Sequence, residues 1–354
     1  MQRLLSLFTL VAMGGGVWMF LSGGGLDQLA VDPNSPAATQ PAGASAPGSW
    51  NGGGAPATGV QPTTVSMPPI IGAAAPPASD QFIRIASYNI RDFGPKKLGD
   101  LRVVMTLAEI IRKFDVVAIQ EISNEDQRHM EDFVRKINES GRDYDFVVGP
   151  RLGNSHQKEQ YAFIFDKKRI MVDRSSVYTV GDPDNLLHRE PLVATFATTI
   201  QPSSDAFTFT LINVHTDPST TVLPIELEAL AEVYRVVRRA GGNEDDVIML
   251  GDFNASDQKM AVTRIGKIPD LRPLLGAGAF SNSRQNQLYD NLLIHAPSTT
   301  EYLGRSGVFD IAKAFNLQLS EAEMVSDHFP VWAEFNAYET DNGGRIASRA
   351  GAAR

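Results

Sequence analysis

The chain has 354 residues, 43% apolar and 21% charged, a globular composition with room for one large domain or for two. It contains no cysteine, which excludes disulfide staples, zinc–thiolate sites, iron–sulfur clusters and a thiol nucleophile. A net charge of −9 argues against a protein that coats nucleic acid with a broad basic surface, but not against an enzyme that meets a phosphate through a divalent cation.

Arg3 precedes an uncharged apolar run from Leu4 to Leu21, intermediate in length between a signal-peptide core and a full membrane span. Positive charge ahead of that run keeps the start of the chain in the cytoplasm. Residues 1–25 are therefore expected to be a signal peptide or an N-terminal membrane anchor, with the remainder exported, either membrane-anchored or secreted. Residues 26–80, rich in Pro, Ala, Gly and Ser ("SPAATQPAGASAPGSW"), have little to bury and read as a disordered linker. Residues 81–338 carry the texture of a single folded domain, and 339–354 that of a flexible tail.

In chain order, "FIRIASYN" alternates and reads as a strand. "LGDLRVVMTLAEIIRKF" has apolar residues at helical spacing. "DVVAIQEI" is a short buried strand and "EDQRHMEDFVRKINES" an amphipathic helix. "YDFVVGP", "QYAFIFD" and "IMVDRSSVYTV" are strands, and "PLVATFATTI" with "FTFTLINVHT" forms a strand pair. "PIELEALAEVYRVVRRA" is a helix opened by Pro224 and stopped by Gly241 and Gly242. "DVIMLGDFN", "LYDNLLIH" and "HFPVWAEF" complete the strands. Helices separate some strands and hairpins others. That order fits two packed mixed β-sheets flanked by helices, an α/β (α+β) sandwich, better than a doubly wound sheet.

The buried strands end or begin on polar residues: Asn89, Glu121, His215, Asp252 with Asn254 beyond it, Asp290, and Asp327 with His328. Each alone reads as a cap, a turn or a hydrogen-bonded core group. Together, at strand ends that converge, they read as one cleft. Carboxylates are hard ligands for Mg2+ or Ca2+, asparagines orient water or phosphate oxygen, and histidines move protons near neutral pH. There is no phosphate-cradling G-x-x-x-x-G-K-[ST] loop, no G-x-S-x-G nucleophile and no H-E-x-x-H helix. Hydrolysis of a phosphate ester by an activated water, assisted by a metal, remains.

The blocks "IASYNIR", "VVAIQEI", "LINVHTDP", "VIMLGDFNAS", "YDNLLI" and "SDHFPV" resemble the endonuclease/exonuclease/phosphatase superfamily, in its order, across the whole folded part. "RLGNSHQKEQYAFIFDKKRI" and "HREPLVATF" resemble its deoxyribonuclease I-like branch. The resemblance implies a four-layer sandwich and a nonspecific, Mg2+-dependent endonuclease acting on DNA, with Ca2+ or Mn2+ as other candidate ions. It implies Glu121, Asn89 and Asp327 at the metal. His215 and His328 would flank the phosphate, oriented by Glu159 and Asp290. Asp252 and Asn254 would handle water and phosphate, and Asn89 and Arg189 would contact substrate. A phospholipid or inositol-phosphate esterase and a non-catalytic surface-binding module are the competing readings. No protein partner is implied.

Duplex-nicking relatives insert an arginine and a tyrosine into the minor groove, where this chain has Ser123 and Gln157. His129 and His295 read as structural, while His156 and His188 stand at the edges of the blocks.

Overall fold

The computed structural model describes residues 80–340 except 127, 155–157 and 243, together with the backbone of 10–13, 16–19 and 30–31. Most of the expected leader and of the linker, the tail beyond 340, His156 and Gln157 lie outside the described residues. Among the described residues no helix is long and apolar enough to cross a membrane.

Two mixed sheets pack face to face. The first is built from β1 (Phe82–Asn89), β2 (Val116–Ile122), β3 (Tyr144–Val148), β4 (Gln160–Asp166), β11 (Tyr302–Val308) and β12 (Val331–Asn336), in the order β11-β12-β1-β2-β4-β3. The second contains β5 (Ile170–Gly181), β6 (Leu192–Thr198), β7 (Thr208–His215), β8 (Val247–Asp252), β9 (Leu271–Pro273) and β10 (Asp290–His295), in the order β9-β10-β8-β7-β6-β5. The residue pair Ala30–Val31 extends its edge at β5.

Each sheet has one parallel pair at its centre, β1 with β2 and β7 with β8. A parallel pair needs a long crossover, supplied here by helices. Helices α1 (Pro95–Leu98) and α2 (Leu101–Ile111) join β1 to β2, and α4 (Leu223–Ala240) joins β7 to β8. Asp100 caps α2 by accepting hydrogen bonds from the backbone N–H groups of Arg102 and Val103, and Arg112 closes the helix. Helix α3 (Arg128–Asn138) buries Met130, Phe133, Val134 and Ile137, its only apolar stripe, over the first sheet. Short helices α5 (Asp257–Ala261), α6 (Ile311–Phe315) and α7 (Leu319–Val325) complete the outer layers.

Between the sheets lies an aromatic core in which Phe196 stacks on Phe209 and meets Phe163 edge-on, with Phe207 against Phe335. Each such ring contributes about 1.5–3 kcal/mol by leaving water. One polar peg crosses this layer. Gln120 Nε2 donates to Asn213 Oδ1 at 2.6 Å, and Asn213 Nδ2 donates to the carbonyls of Ile119 and Ala162.

The strand β11 and the helices α6 and α7 are not visible in sequence periodicity. "YLGRSGV" has two glycines, an arginine and no buried alternate row, because β11 is a half-exposed edge strand. The last strand starts at Val331 rather than at His328, and His328 instead forms an isolated bridge with Asn282.

Candidate active site

The two parallel pairs aim their C-terminal ends at the same place, and the polar residues there converge. Asn89 ends β1 and lies fully buried. Its Nδ2 donates to Glu121 Oε1 at 2.8 Å and to Asp252 Oδ2 at 3.1 Å, while its Oδ1 accepts from Arg91 N at 2.9 Å. Those partners fix the amide's orientation and make Asn89 a bridge between two carboxylates.

Glu121 lies within a register irregularity of β2 against β4, between Ile119 and Ile122, and has φ 63°. Such a bulge re-aims side chains at functional sites. Gln120 therefore points into the inter-sheet core while Glu121 reaches the cleft, its side chain 27% exposed. Glu121 Oε2 accepts from Asp92 N at 2.8 Å.

Gly251 brings β8 against β7. At φ 152°, an added Cβ would sit 1.9 Å from the Val214 carbonyl oxygen. That close approach delivers Asp252, which is 1% exposed. Asp252 Oδ1 accepts from Asn254 N at 2.9 Å, and Asn254 Nδ2 donates to Thr216 O at 2.8 Å, pinning the two strand-end loops together.

Both histidines direct Nε2 at Asp252 Oδ2, each at 3.6 Å. Behind each imidazole stands a carboxylate. His215 Nδ1 lies 2.6 Å from Glu159 Oε1, and His328 Nδ1 lies 2.8 Å from Asp290 Oδ2. Burial opposes a charge on His215, but Glu159 and Asp252 outweigh it and raise its pKa. Burial opposes charge on His328 as well, and Asp290 with Asp252 push its pKa up to about 10. Burial raises Asp290 to about 6, against the pull of His328. Near neutral pH the second pair is thus imidazolium and carboxylate. These contacts cross the sandwich: Glu159 precedes β4 of the first sheet and His215 ends β7 of the second, while His328 precedes β12 and Asp290 opens β10.

Arg189 Nε lies 2.5 Å from Glu159 Oε1, and its Nη1 donates to the His215 carbonyl at 3.3 Å. It therefore braces the Glu159–His215 pair. Asp327 sits at the rim, 45% exposed and 3.7 Å from Arg91 Nε. His188 stays beside Arg189 but pairs with Asp217 at 3.5 Å. His295 contacts Ser298, and His129 lies on α3 away from the cleft. Ser123 Oγ donates to Asp92 Oδ1 at 2.5 Å, so its side chain is held at the base of the loop.

Three supporting residues were not singled out from sequence. The Tyr161 hydroxyl accepts from His215 N at 3.0 Å. Ser326 Oγ donates to Asn89 O at 2.7 Å and accepts from His328 N at 3.0 Å. Ser281 Oγ accepts from Asp290 N at 3.0 Å. Ser326 belongs to the "SDH" motif and could have been found there; Tyr161 and Ser281 carry no signal of their own.

The donor set suits a hard cation. Glu121 has one lone pair free on each oxygen and faces the opening, and Asp252, Asp290 and His328 place a ligand atom each within 4.8 Å of one another. Asp290 Oδ1 is buried without a hydrogen-bond partner.

Residues 86–333 match the model of the Endonuclease/Exonuclease/phosphatase family. Deoxyribonuclease gamma of Homo sapiens is 32% identical over 264 residues, spanning 70% of this chain and 84% of that protein. Deoxyribonuclease-1 of Oryctolagus cuniculus is 28% identical over 261 residues, spanning 70% and 91%. The crystal structure of an endonuclease/exonuclease/phosphatase family protein from Bacteroides thetaiotaomicron is alike in fold, with TM-score 0.50 and 16% identity over 72% of this chain and 97% of that one. The chain belongs to the endonuclease/exonuclease/phosphatase family, on its deoxyribonuclease I-like branch, and is a phosphodiester-cleaving enzyme of that family.

Proposed function

We propose that the domain at 81–338 is an exported, divalent-cation-dependent endonuclease that hydrolyses DNA with little sequence preference. One observation carries the reading: two carboxylate-backed imidazoles present Nε2 to a single buried oxygen, Asp252 Oδ2, at 3.6 Å each. Hydrolysis of a phosphodiester needs one proton taken from water and one given to the leaving oxygen, and Asp252 connects the two imidazoles that can exchange them. Imidazolium at His328, held by Asp290, also stabilises negative charge on the phosphate.

Glu121 would hold the cation, with Asp327 at the rim and Asn89 keeping Glu121 turned to the cleft. A bound Mg2+ supplies Lewis-acid polarisation of a phosphoryl oxygen. The DNA-cleaving relatives support DNA as substrate, read through its backbone rather than its bases.

A second reading, a same-fold esterase for a phospholipid or inositol phosphate, has one observation in its favour. Ser123, tied to Asp92, offers no side chain to enter a minor groove.

The test is supercoiled plasmid incubated with the protein in Mg2+ and in EDTA. Wild type is expected to nick it only with metal, and His215→Ala to be inert. Absence of cleavage of duplex and single strands with any divalent cation, alongside turnover of a phosphate-ester panel, would establish the second reading.

A further inference from the structure

At the end of the sandwich opposite the cleft, three carboxylates meet from distant parts of the chain. Asp246 precedes β8, Glu301 precedes β11, and Glu339 follows β12. They offer ligand oxygens within 4.8 Å of one another. Asp252 and this cluster sit at opposite ends of β8, which at ~3.3 Å per residue separates them by about 20 Å.

Asp246 is 3% exposed and Glu301 fully buried, so both have left water. Glu301 Oε1 accepts from Thr340 N at 2.7 Å and Thr340 Oγ1 at 2.5 Å. Its other oxygen, Oε2, is buried with no hydrogen-bond partner, and so is Asp246 Oδ1. Among the described residues no lysine, arginine or histidine forms an ion pair with any of the three. A buried carboxylate oxygen without a donor, on a group without counter-charge, is costly unless something positive joins it. The buried Thr299 hydroxyl beside Asp246 adds a further oxygen.

We propose that Asp246, Glu301 and Glu339 form a cation site for Ca2+, remote from the chemistry, that ties the entry of β8 and of β11 to the segment after β12. An all-oxygen, all-carboxylate set with no nitrogen or sulfur selects a hard cation, and three carboxylates favour the larger, more adaptable Ca2+ over Mg2+.

Full-length protein is titrated with Tb3+, a Ca2+ surrogate whose emission is excited through tyrosine. Tyr234 contacts Val247 O at 3.5 Å and Tyr338 adjoins Glu339, so sensitisers stand beside the site. The expected result is saturable emission, displaced by Ca2+, that persists in Glu121→Gln but loses one bound equivalent in Asp246→Asn/Glu301→Gln. Ca2+ at about a hundred times its dissociation constant should raise Tm by about 5–10 °C in wild type and Glu121→Gln, and that increment should vanish in the double variant. The double variant removes mutual repulsion and keeps side-chain shape. Should it fail to fold, Glu339→Gln, at a half-buried position, should weaken Ca2+ binding about tenfold. Equal stoichiometry and equal Tm response in wild type and variants, or no saturable binding to wild type, overturns the proposal.

Discussion

Glu159 Oε1 stands 2.6 Å from His215 Nδ1, and the same oxygen forms an ion pair with Arg189 Nε at 2.5 Å. One carboxylate oxygen thus serves an imidazole whose pKa it raises and a guanidinium that holds it in place. Glu159→Gln keeps the shape and removes the charge. Its expected effect is a fall in kcat of about 10–100-fold with little change in KM. Because Glu159 raises the His215 pKa, the limb of the pH–kcat profile that reports His215 should move to lower pH. A profile that keeps its position while kcat falls would make Glu159 a packing residue only.

The His328–Asp290 pair sets a pH window. His328 titrates at about 10 in the fold, against an ordinary value of about 6.5. A base whose pKa is raised by folding stabilises the fold below its unfolded value and loses that contribution as pH climbs to the folded one. Burial makes Asp290 take a proton below about 6. The stability gap between wild type and Asp290→Asn is therefore expected to be widest near pH 6–7 and to close towards pH 10. Denaturant midpoints across that range, with ring-nitrogen NMR of His328, measure it; a gap that widens with alkali contradicts the assignment.

Glu121 reaches the cleft with its side chain 27% exposed, and its replacement separates metal binding from folding. Glu121→Gln is expected to lower nicking by about 100-fold or more and to shift the Mg2+ dependence of the residual rate to higher concentration. Thermal stability in EDTA should fall by about 1–2 kcal/mol, since the single glutamine oxygen can accept from Asn89 Nδ2 or from Asp92 N but not from both.

Gly251 gives the sharpest stability prediction. A methyl group there meets the Val214 carbonyl oxygen at 1.9 Å on a backbone with φ 152°. Gly251→Ala should cost about 3 kcal/mol or more, with loss of activity as Asp252 is displaced. Urea denaturation reads the first and plasmid nicking the second.

Much of this site was legible because strand ends are legible. Apolar runs such as Val247 to Leu250 mark core strands, and a polar residue that closes such a run must find partners. Asn89, His215 and Asp252 were found that way, Asp290 as the polar residue that opens its strand, and the structure brings them together. The bulge that turns Glu121 outward was not legible, since "VVAIQEI" reads as an unbroken strand. The bracing of Glu159 by Arg189 was not legible either, because residues 30 apart approach only through pairing across sheets. The half-exposed β11 and the short helices around it escaped because neither buries a full apolar row.

The histidine–carboxylate pairs, each joining one sheet to the other, make activity a property of the last stage of assembly. A nascent chain that has reached β6 already holds Asn89, Glu121, Glu159 and Arg189, but neither histidine of the site nor Asp252. His215 and Asp252 arrive next, and His328 only with the final strand. Until the two sheets dock, each imidazole lacks the carboxylate that raises its pKa. The catalyst is silent by construction while it is being made, and its onset reports that both halves of the sandwich have closed.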